Sequence, residues 1–145
     1  MRPDYALERT VRGRYAVKSG SCICGAVTFT VSCELKPPDA CHCVQCRKFS
    51  GHYSVGTDVP RSAVEIFGAG NITWYNSSVK VRRGFCSVCG CSMFFDPPAK
   101  EWIGISMGAF DGATGTHTEL HIFVAEKGDY YEITDGLPRW QRIPE

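Results

Sequence analysis

The sequence predicts an all-β domain that is organised around metal-binding cysteines. Three observations support this prediction. Short apolar runs recur between clusters of Gly, Pro, Asn and Asp, helical periodicity is confined to one short segment, and most of the nine cysteines fall into three closely spaced groups. Strands separated by turns at near-regular spacing are typical of all-β domains. The length of 145 residues fits a single domain with a substantial core.

Seven segments carry the β signature. In chain order they are 26–31, 64–67, 72–75, 79–85, 93–95, 102–106 and 121–124. The first of them alternates apolar and hydroxyl residues directly after the first cysteine pair. The helical candidate is a turn or two at 44–49, beside the second cysteine group. We place the domain at 19–140, between an N-terminal tail of 1–18 and a C-terminal tail of 141–145.

The charge balance excludes a broad electrostatic grip on nucleic acid. The chain has 16 basic and 15 acidic side chains, whereas nucleic-acid binding needs a basic face or stripe. Apolar runs stay far below the roughly 18–20 residues of a membrane span, and the N-terminus lacks the apolar stretch of a secretory signal. We therefore expect a cytoplasmic protein with no nucleic-acid and no membrane partner.

In a reducing cytosol, closely spaced cysteines indicate metal binding or catalysis more than disulfides. The three groups begin at Cys22, Cys41 and Cys86, and Cys33 stands apart. Zn²⁺ prefers thiolates in a tetrahedron, and the turn in a C-x-x-C pair can bring both sulfurs to one ion. Gly25 and Gly90 each follow a cysteine and suit tight turns, because left-handed backbone costs glycine little.

Two partitions of these cysteines are possible. A zinc ribbon would join Cys43 and Cys46 to Cys86 and Cys89, and would leave the other members of the groups without a role. The alternative is a closed four-thiolate site together with a separate three-thiolate site. It assigns the first site to Cys22, Cys24, Cys86 and Cys89, and the second to Cys41, Cys43 and Cys46. We favour this alternative because it uses seven cysteines, and because open sites are catalytic whereas closed sites are structural.

The two sites of the favoured partition differ in how much chain they constrain. The four-thiolate site closes a long loop, whereas the three-thiolate site takes its ligands from six consecutive residues. Stability explains the second site poorly, so we expect it to be functional. Arg47 and Lys48 follow its last ligand and are candidates for binding substrate carboxylates. Arg82 and Arg83 are weaker candidates, and we expect His42 to support the ligands from outside the metal shell.

Four blocks of the sequence resemble the glutathione-dependent formaldehyde-activating (GFA) family, also called the centromere protein V/GFA domain. They are 20–27, the C-H-C-x-x-C-R-K-x-x-G signature at 41–51, 84–90, and the closing segments 121–124 and 135–138. The resemblance implies a zinc-containing β-tent fold similar to the Mss-four-like Rab-exchange-factor proteins. It also implies the favoured partition, with one structural and one catalytic zinc per chain.

The resemblance implies an activity as well. GFA-type enzymes join glutathione to formaldehyde, a carbon–sulfur lyase reaction run in reverse, and Arg47 and Lys48 would then bind the glutathione. The alternative function is a non-catalytic zinc module that binds glutathione or a protein partner. Three residues depart from the family pattern, namely Cys91, Tyr130 and Tyr131. The sequence leaves the true substrate and the oligomeric state open.

Overall fold

The computed structural model describes residues 15–143. Residues 1–14 of the predicted N-terminal tail and the last two residues of the C-terminal tail lie outside the described residues. Within the described part, short strands dominate and the α-helix is a single short element. The predicted all-β class with a helical turn beside the second cysteine group is confirmed.

The strands form two sheets. In chain order they are β1 (Lys18–Ser21), β2 (Thr28–Val31), β3 (Asp39–Cys41), β4 (Ser54–Pro60), β5 (Val64–Phe67), β6 (Ile72–Asn76), β7 (Arg82–Cys86), β8 (Ser92–Asp96), β9 (Trp102–Ser106) and β10 (Leu120–Ile122), and helix α1 (Val44–Ser50) lies between β3 and β4. The small sheet has the order β1-β2-β5 and the large one β10-β3-β4-β9-β8-β7-β6. Neighbours are antiparallel except β10 and β3, which are parallel.

The hydrophobic core lies between these sheets. Phe29 on β2 makes edge-to-face ring contacts with Phe94 on β8, at a centroid distance of 5.9 Å, and with Phe110, at 5.3 Å. Met93, Ile103 and other buried side chains of the large sheet join the same cluster. Two cysteines of the first and third groups, Cys22 and Cys86, are buried at its edge, so the core and the first cysteine site are continuous.

Sequence patterns missed or misplaced several strands. Strands β1, β3 and β4 were not predicted, because their sequences are short or contain the turn formers Gly, Asp and Pro. The predicted strand 79–85 begins only at Arg82, and Val79 is fully exposed in the preceding loop. The predicted strand 121–124 ends at Ile122, because Phe123 adopts a left-handed conformation with φ of 55°.

A buried carboxylate ties β7 and β8 to the turn after β4. Asp96 is 1% exposed and forms ion pairs with Arg61 and, at 2.7 Å, with Arg82, the residue opposite it on β7. The Arg82 guanidinium also lies 4.1 Å from the centroid of the Trp74 ring. Among the described residues, the helices are all too short or too polar to cross a membrane.

Candidate metal centre

Two tight turns bring the first group of sulfurs together. One follows β1 at Cys22 and Cys24, and the other joins β7 to β8 at Cys86 and Cys89. Each turn is closed by a backbone hydrogen bond from a glycine, Gly25 N–H to Cys22 O at 3.2 Å and Gly90 N–H to Cys86 O at 2.8 Å. Both glycines have positive φ, 78° and 75°, as their positions in the sequence predict.

The spacing of these four sulfurs suits a zinc ion. Four sulfurs at 2.3 Å from one ion in a tetrahedron lie about 3.8 Å apart. The Sγ atoms of Cys22 and Cys24 are 3.6 Å apart, and those of Cys24 and Cys86 are 3.8 Å apart. All four, including Cys89, lie within 4.8 Å of one another. We call them the quartet.

The second group, which we call the trio, comprises Cys41, Cys43 and Cys46. Its three sulfurs also lie within 4.8 Å of one another. Cys41 ends β3, Cys43 caps the N-terminus of α1, and Cys46 lies in the first turn of that helix. The Cys43 sulfur accepts the backbone N–H of Cys46 at 3.3 Å, which folds the two side chains to one side. Among the described residues, the sulfurs are thus grouped as in the favoured partition, and Cys43 and Cys46 are not grouped with Cys86 and Cys89.

A buried arginine contacts the trio from the large sheet. Arg83 on β7 is only 6% exposed, and its two terminal nitrogens lie 3.7 and 3.6 Å from the Cys46 sulfur. The guanidinium is flanked by the rings of Phe49 and Phe95, with centroids at 5.5 and 5.2 Å. Among the described residues, no carboxylate forms an ion pair with it. Because a buried charge needs a counter-charge, Cys46 is the group that supplies one.

The electrostatics of the trio favour a thiolate at Cys46. Hydrogen bonds from the Cys41 and Cys43 thiols, together with the nearby Arg83 guanidinium, lower the pKa of Cys46 to about 2 despite its burial. The pKa of Cys41 is raised, because its proton is held by hydrogen bonds to Cys43 and Cys46. A metal ion that binds the trio would have to displace the thiol protons.

A chain of hydrogen bonds passes through the residue between the first two trio cysteines. His42 is fully buried. Its Nδ1 contacts the Tyr131 hydroxyl, and its Nε2 lies 2.8 Å from Nδ1 of His121. The Nε2 of His121 in turn lies 2.8 Å from the Asp135 carboxylate. Both ring nitrogens of His42 therefore contact residues outside the trio, which fits the expected supporting role better than a ligand role.

This chain of hydrogen bonds has a defined direction when both histidines are neutral. The Asp135 carboxylate can only accept, so His121 donates from Nε2 and accepts at Nδ1. His42 must then donate from Nε2 and accept at Nδ1, which makes the Tyr131 hydroxyl the donor. Burial, and then the neighbouring His121, lower the pKa of His42 to about 4, which keeps it neutral. A cavity of about 160 Å³ borders the network, with Tyr53 among its lining residues.

The remaining predicted site residues fall in different surroundings. Arg47 is half-buried, and its Nε has no hydrogen-bond partner, whereas Lys48 is exposed. Cys91 and Cys33 are partly buried and pack against the core cluster. Sequence patterns singled out Arg83 only as a weaker substrate-binding candidate, and they gave Tyr131 and Asp135 no role at the site. Arg83 lies 37 residues from Cys46 in sequence, and Tyr131 lies 89 from His42.

Comparison with known proteins places this arrangement in a family. The family described as glutathione-dependent formaldehyde-activating enzyme (GFA) matches residues 17–126. The chain belongs to this family. The GFA match includes the quartet, the trio, Arg83, His42 and His121, whereas Tyr131 and Asp135 lie beyond it.

Two similar proteins support the assignment to the GFA family and its fold. A protein of Halomonas elongata named "Putative glutathione-dependent formaldehyde-activating enzyme" is 31% identical over 124 residues, which is 79% of this chain and 79% of that protein. The crystal structure of a Rhodobacter sphaeroides protein matches with a TM-score of 0.57 at 21% identity, and the match covers 84% of this chain and 98% of that one. This second likeness concerns the fold alone.

Proposed function

We propose that this chain is a zinc-dependent enzyme of the carbon–sulfur lyase type, which joins glutathione or a similar thiol to formaldehyde or another small aldehyde. Membership of the GFA family supports the thiol and aldehyde substrates. The observation that carries the proposal is the trio itself, three convergent sulfurs drawn from six consecutive residues. Such a site holds little chain together, so its convergence is better explained by ligand binding.

The two sulfur groups have different proposed roles. The quartet would hold a structural zinc, because four sulfurs complete a tetrahedron. The trio would hold a catalytic zinc, because three sulfurs leave one position for a substrate. An ion held there would supply a site where a thiol loses its proton and is presented as a nucleophile at neutral pH. We therefore assign two zinc ions to each chain.

The proposed reaction is an addition. One sulfur–carbon bond forms between the thiol and the aldehyde carbon, the carbon–oxygen π bond breaks, and the thiol proton ends on the former aldehyde oxygen. No atom is lost and no oxidant is consumed. The reaction needs a bound thiol, a place for the small aldehyde and a donor for the oxygen that gains charge.

Residues of this chain can meet these needs. Arg47 follows the last trio cysteine, and its half-buried guanidinium makes it the candidate for a glutathione carboxylate. Lys48, exposed beside it, adds positive charge for the same anionic group. His42 and its partners hold the loop that carries Cys41 and Cys43. We expect the protein to act in the cytoplasm, where thiols are kept reduced.

Metal analysis and two matched variants test the division of roles. We expect about two zinc ions per chain. Cys86→Ser should unfold the protein, because it breaks the structural site, whereas Cys46→Ser should leave it folded but unable to bind thiol or to turn over. Cys33→Ser, outside both groups, is the control and should resemble the wild type in circular dichroism and zinc content. Unfolding of Cys46→Ser as severe as that of Cys86→Ser would remove the basis of the catalytic assignment.

A rate measurement separates an enzyme from a binding module. Glutathione and formaldehyde combine spontaneously, so the rate must be followed with and without catalytic amounts of protein. We expect a rate above background that is abolished in Cys46→Ser. A background rate, together with thiol binding by the zinc-loaded chain, would instead favour the non-catalytic module.

A further inference from the structure

A buried arginine that contacts the Cys46 sulfur from outside the trio has no task in the proposed function. Arg83 presents both terminal nitrogens to this sulfur, at 3.7 and 3.6 Å. It is more than nine-tenths buried, and its Nε has no hydrogen-bond partner. Burying an arginine costs free energy. An apolar side chain could fill the space between the two phenylalanine rings without this cost, so the charge of Arg83 needs another explanation.

The guanidinium is held in place by a second contact chain. One terminal nitrogen of Arg83 donates to the Gln45 side-chain oxygen at 3.4 Å. The Gln45 amide nitrogen donates to the Ser77 carbonyl at 3.1 Å, in the loop between β6 and β7. Contacts from helix α1 and the loop after β6 therefore hold the positive charge beside the trio.

The positive charge of Arg83 changes the net charge that a metal-loaded trio would have. Three thiolates around a divalent ion carry a net charge of −1, and Arg83 brings the sum to zero. A thiolate that enters as fourth ligand returns the sum to −1, whereas without Arg83 the sum would be −2. A neutral ligand such as imidazole leaves the sum unchanged. Because charges interact strongly where water is excluded, Arg83 should matter far more to the thiolate than to the neutral ligand.

We propose that Arg83 is a specificity-determining residue, which makes the trio site select an anionic thiolate over a neutral donor as its fourth ligand. This inference rests on the proposed function, because it requires a metal ion with an open position at the trio. It adds to that function the reason why a thiol occupies the position.

Ligand titration of the cobalt-loaded chain tests this proposal without an activity assay. Co²⁺ can replace Zn²⁺ in tetrahedral sulfur sites, and its visible absorption changes when a fourth ligand enters. The full chain, saturated with Co²⁺, is titrated with 2-mercaptoethanol and separately with imidazole at about pH 8, where imidazole is mostly neutral. The variants are Arg83→Met, which removes the charge, and Arg83→Lys, which keeps it. Arg82→Met is the matched control, because Arg82 adjoins Arg83 on β7 but pairs with Asp96.

We expect Arg83→Met to weaken thiol binding by about tenfold or more and imidazole binding by less than about threefold. Arg83→Lys should bind both probes within about threefold of the wild type, and Arg82→Met should resemble the wild type. Equal loss of both probes in Arg83→Met would show a merely structural role and would overturn the inference. Unchanged thiol binding in Arg83→Met would do the same while leaving the proposed function intact.

Two further outcomes keep the test decisive. If circular dichroism shows that Arg83→Met is unfolded, Arg83→Gln replaces it, and the wild type gives a second reading: it should bind the thiol more tightly than imidazole. The reverse order in the wild type would contradict the inference. A wild type that binds neither probe would overturn the proposed open position, and with it this inference.

Discussion

Behind the trio lies a buried histidine whose ring nitrogens are both engaged. His42 has no exposed surface, and its ring packs on Tyr53 at a centroid distance of 4.6 Å. Its two nitrogens are both used, by Tyr131 and His121. Protonation would add a positive charge and remove an acceptor, so the folded state keeps this histidine neutral. The titratable and charged groups around it include His121, His52, Lys127, Asp135, Tyr131 and Tyr53.

The first prediction concerns stability against pH. The pKa of His42 is lowered to about 4, first by burial and then by the nearby His121, from about 6.5 in an unfolded chain. As pH falls between these values, the unfolded state binds the proton first, so the free energy of unfolding decreases. Urea unfolding between about pH 7 and pH 4 measures this decrease.

Two variants isolate the contribution of His42 to that decrease. In His42→Gln the part of the slope that is due to this residue should vanish. In His117→Gln the slope should persist, because His117 is exposed. Equal slopes in all three proteins would show that His42 is not held neutral by the fold.

At the same scale, spacing could predict which sulfurs converge but not their neighbours. A C-x-x-C pair is recognisable because its two sulfurs are brought together by the turn that separates them. Arg83 and Asp135 meet the site only through the arrangement of strands and loops, at separations of 37 residues from Cys46 and 14 from His121. A pair of arginines before a cysteine turn does not reveal which of the two faces inward.

At the scale of elements, one buried carboxylate links β7 and β8 to the turn after β4. Asp96 is buried, whereas its partners Arg61 and Arg82 are 33% and 38% exposed. The buried carboxylate attracts both guanidinium groups and accepts a hydrogen bond from each of them. The contact links a cross-strand pair to the turn that follows β4.

The second prediction is that Asp96→Asn lowers the free energy of unfolding by about 2–3 kcal/mol, because it removes the buried charge and weakens charge-assisted hydrogen bonds. Urea denaturation followed by fluorescence measures the change. Arg61→Gln should cost less, about 1 kcal/mol or below, since Arg61 is one-third exposed and Arg82 remains. A loss in Arg61→Gln as large as that in Asp96→Asn would contradict this account.

Strands were predicted correctly where the residue types of the segment favour β structure. Strands β5, β6 and β9 are rich in β-branched and aromatic residues and were predicted nearly to the residue. Strand β4 contains Gly56, Asp58 and Pro60, yet it lies between β3 and β9 in the large sheet. Its backbone forms hydrogen bonds with β3 on one side and β9 on the other. The sequence of the segment alone does not reveal these tertiary contacts.

At the scale of the whole molecule, the quartet joins the two sheets. Cys22 and Cys24 follow the first strand of the small sheet, whereas Cys86 ends β7 of the large one. The trio, by contrast, lies beside β3 and α1 and connects only neighbouring elements. Loss of metal should therefore have unequal consequences at the two sites.

The third prediction follows from this inequality. Excess chelator should lower the midpoint of thermal unfolding of the wild type by more than about 20 °C, because structural zinc contributes on the order of 10 kcal/mol to folding. Cys46→Ser should show nearly the same decrease, since its quartet is intact. Calorimetry with and without chelator measures both. A decrease in the wild type that is largely absent from Cys46→Ser would assign the stabilising ion to the trio instead.

The position of the quartet along the chain has a consequence for biosynthesis. A ribosome releases Cys22 and Cys24 early, but their partners Cys86 and Cys89 emerge only after most of both sheets has been made. The trio, being local, is complete long before. A nascent polypeptide therefore completes the trio first and the quartet last, so under the proposed function a metal ion would meet the trio before the quartet exists.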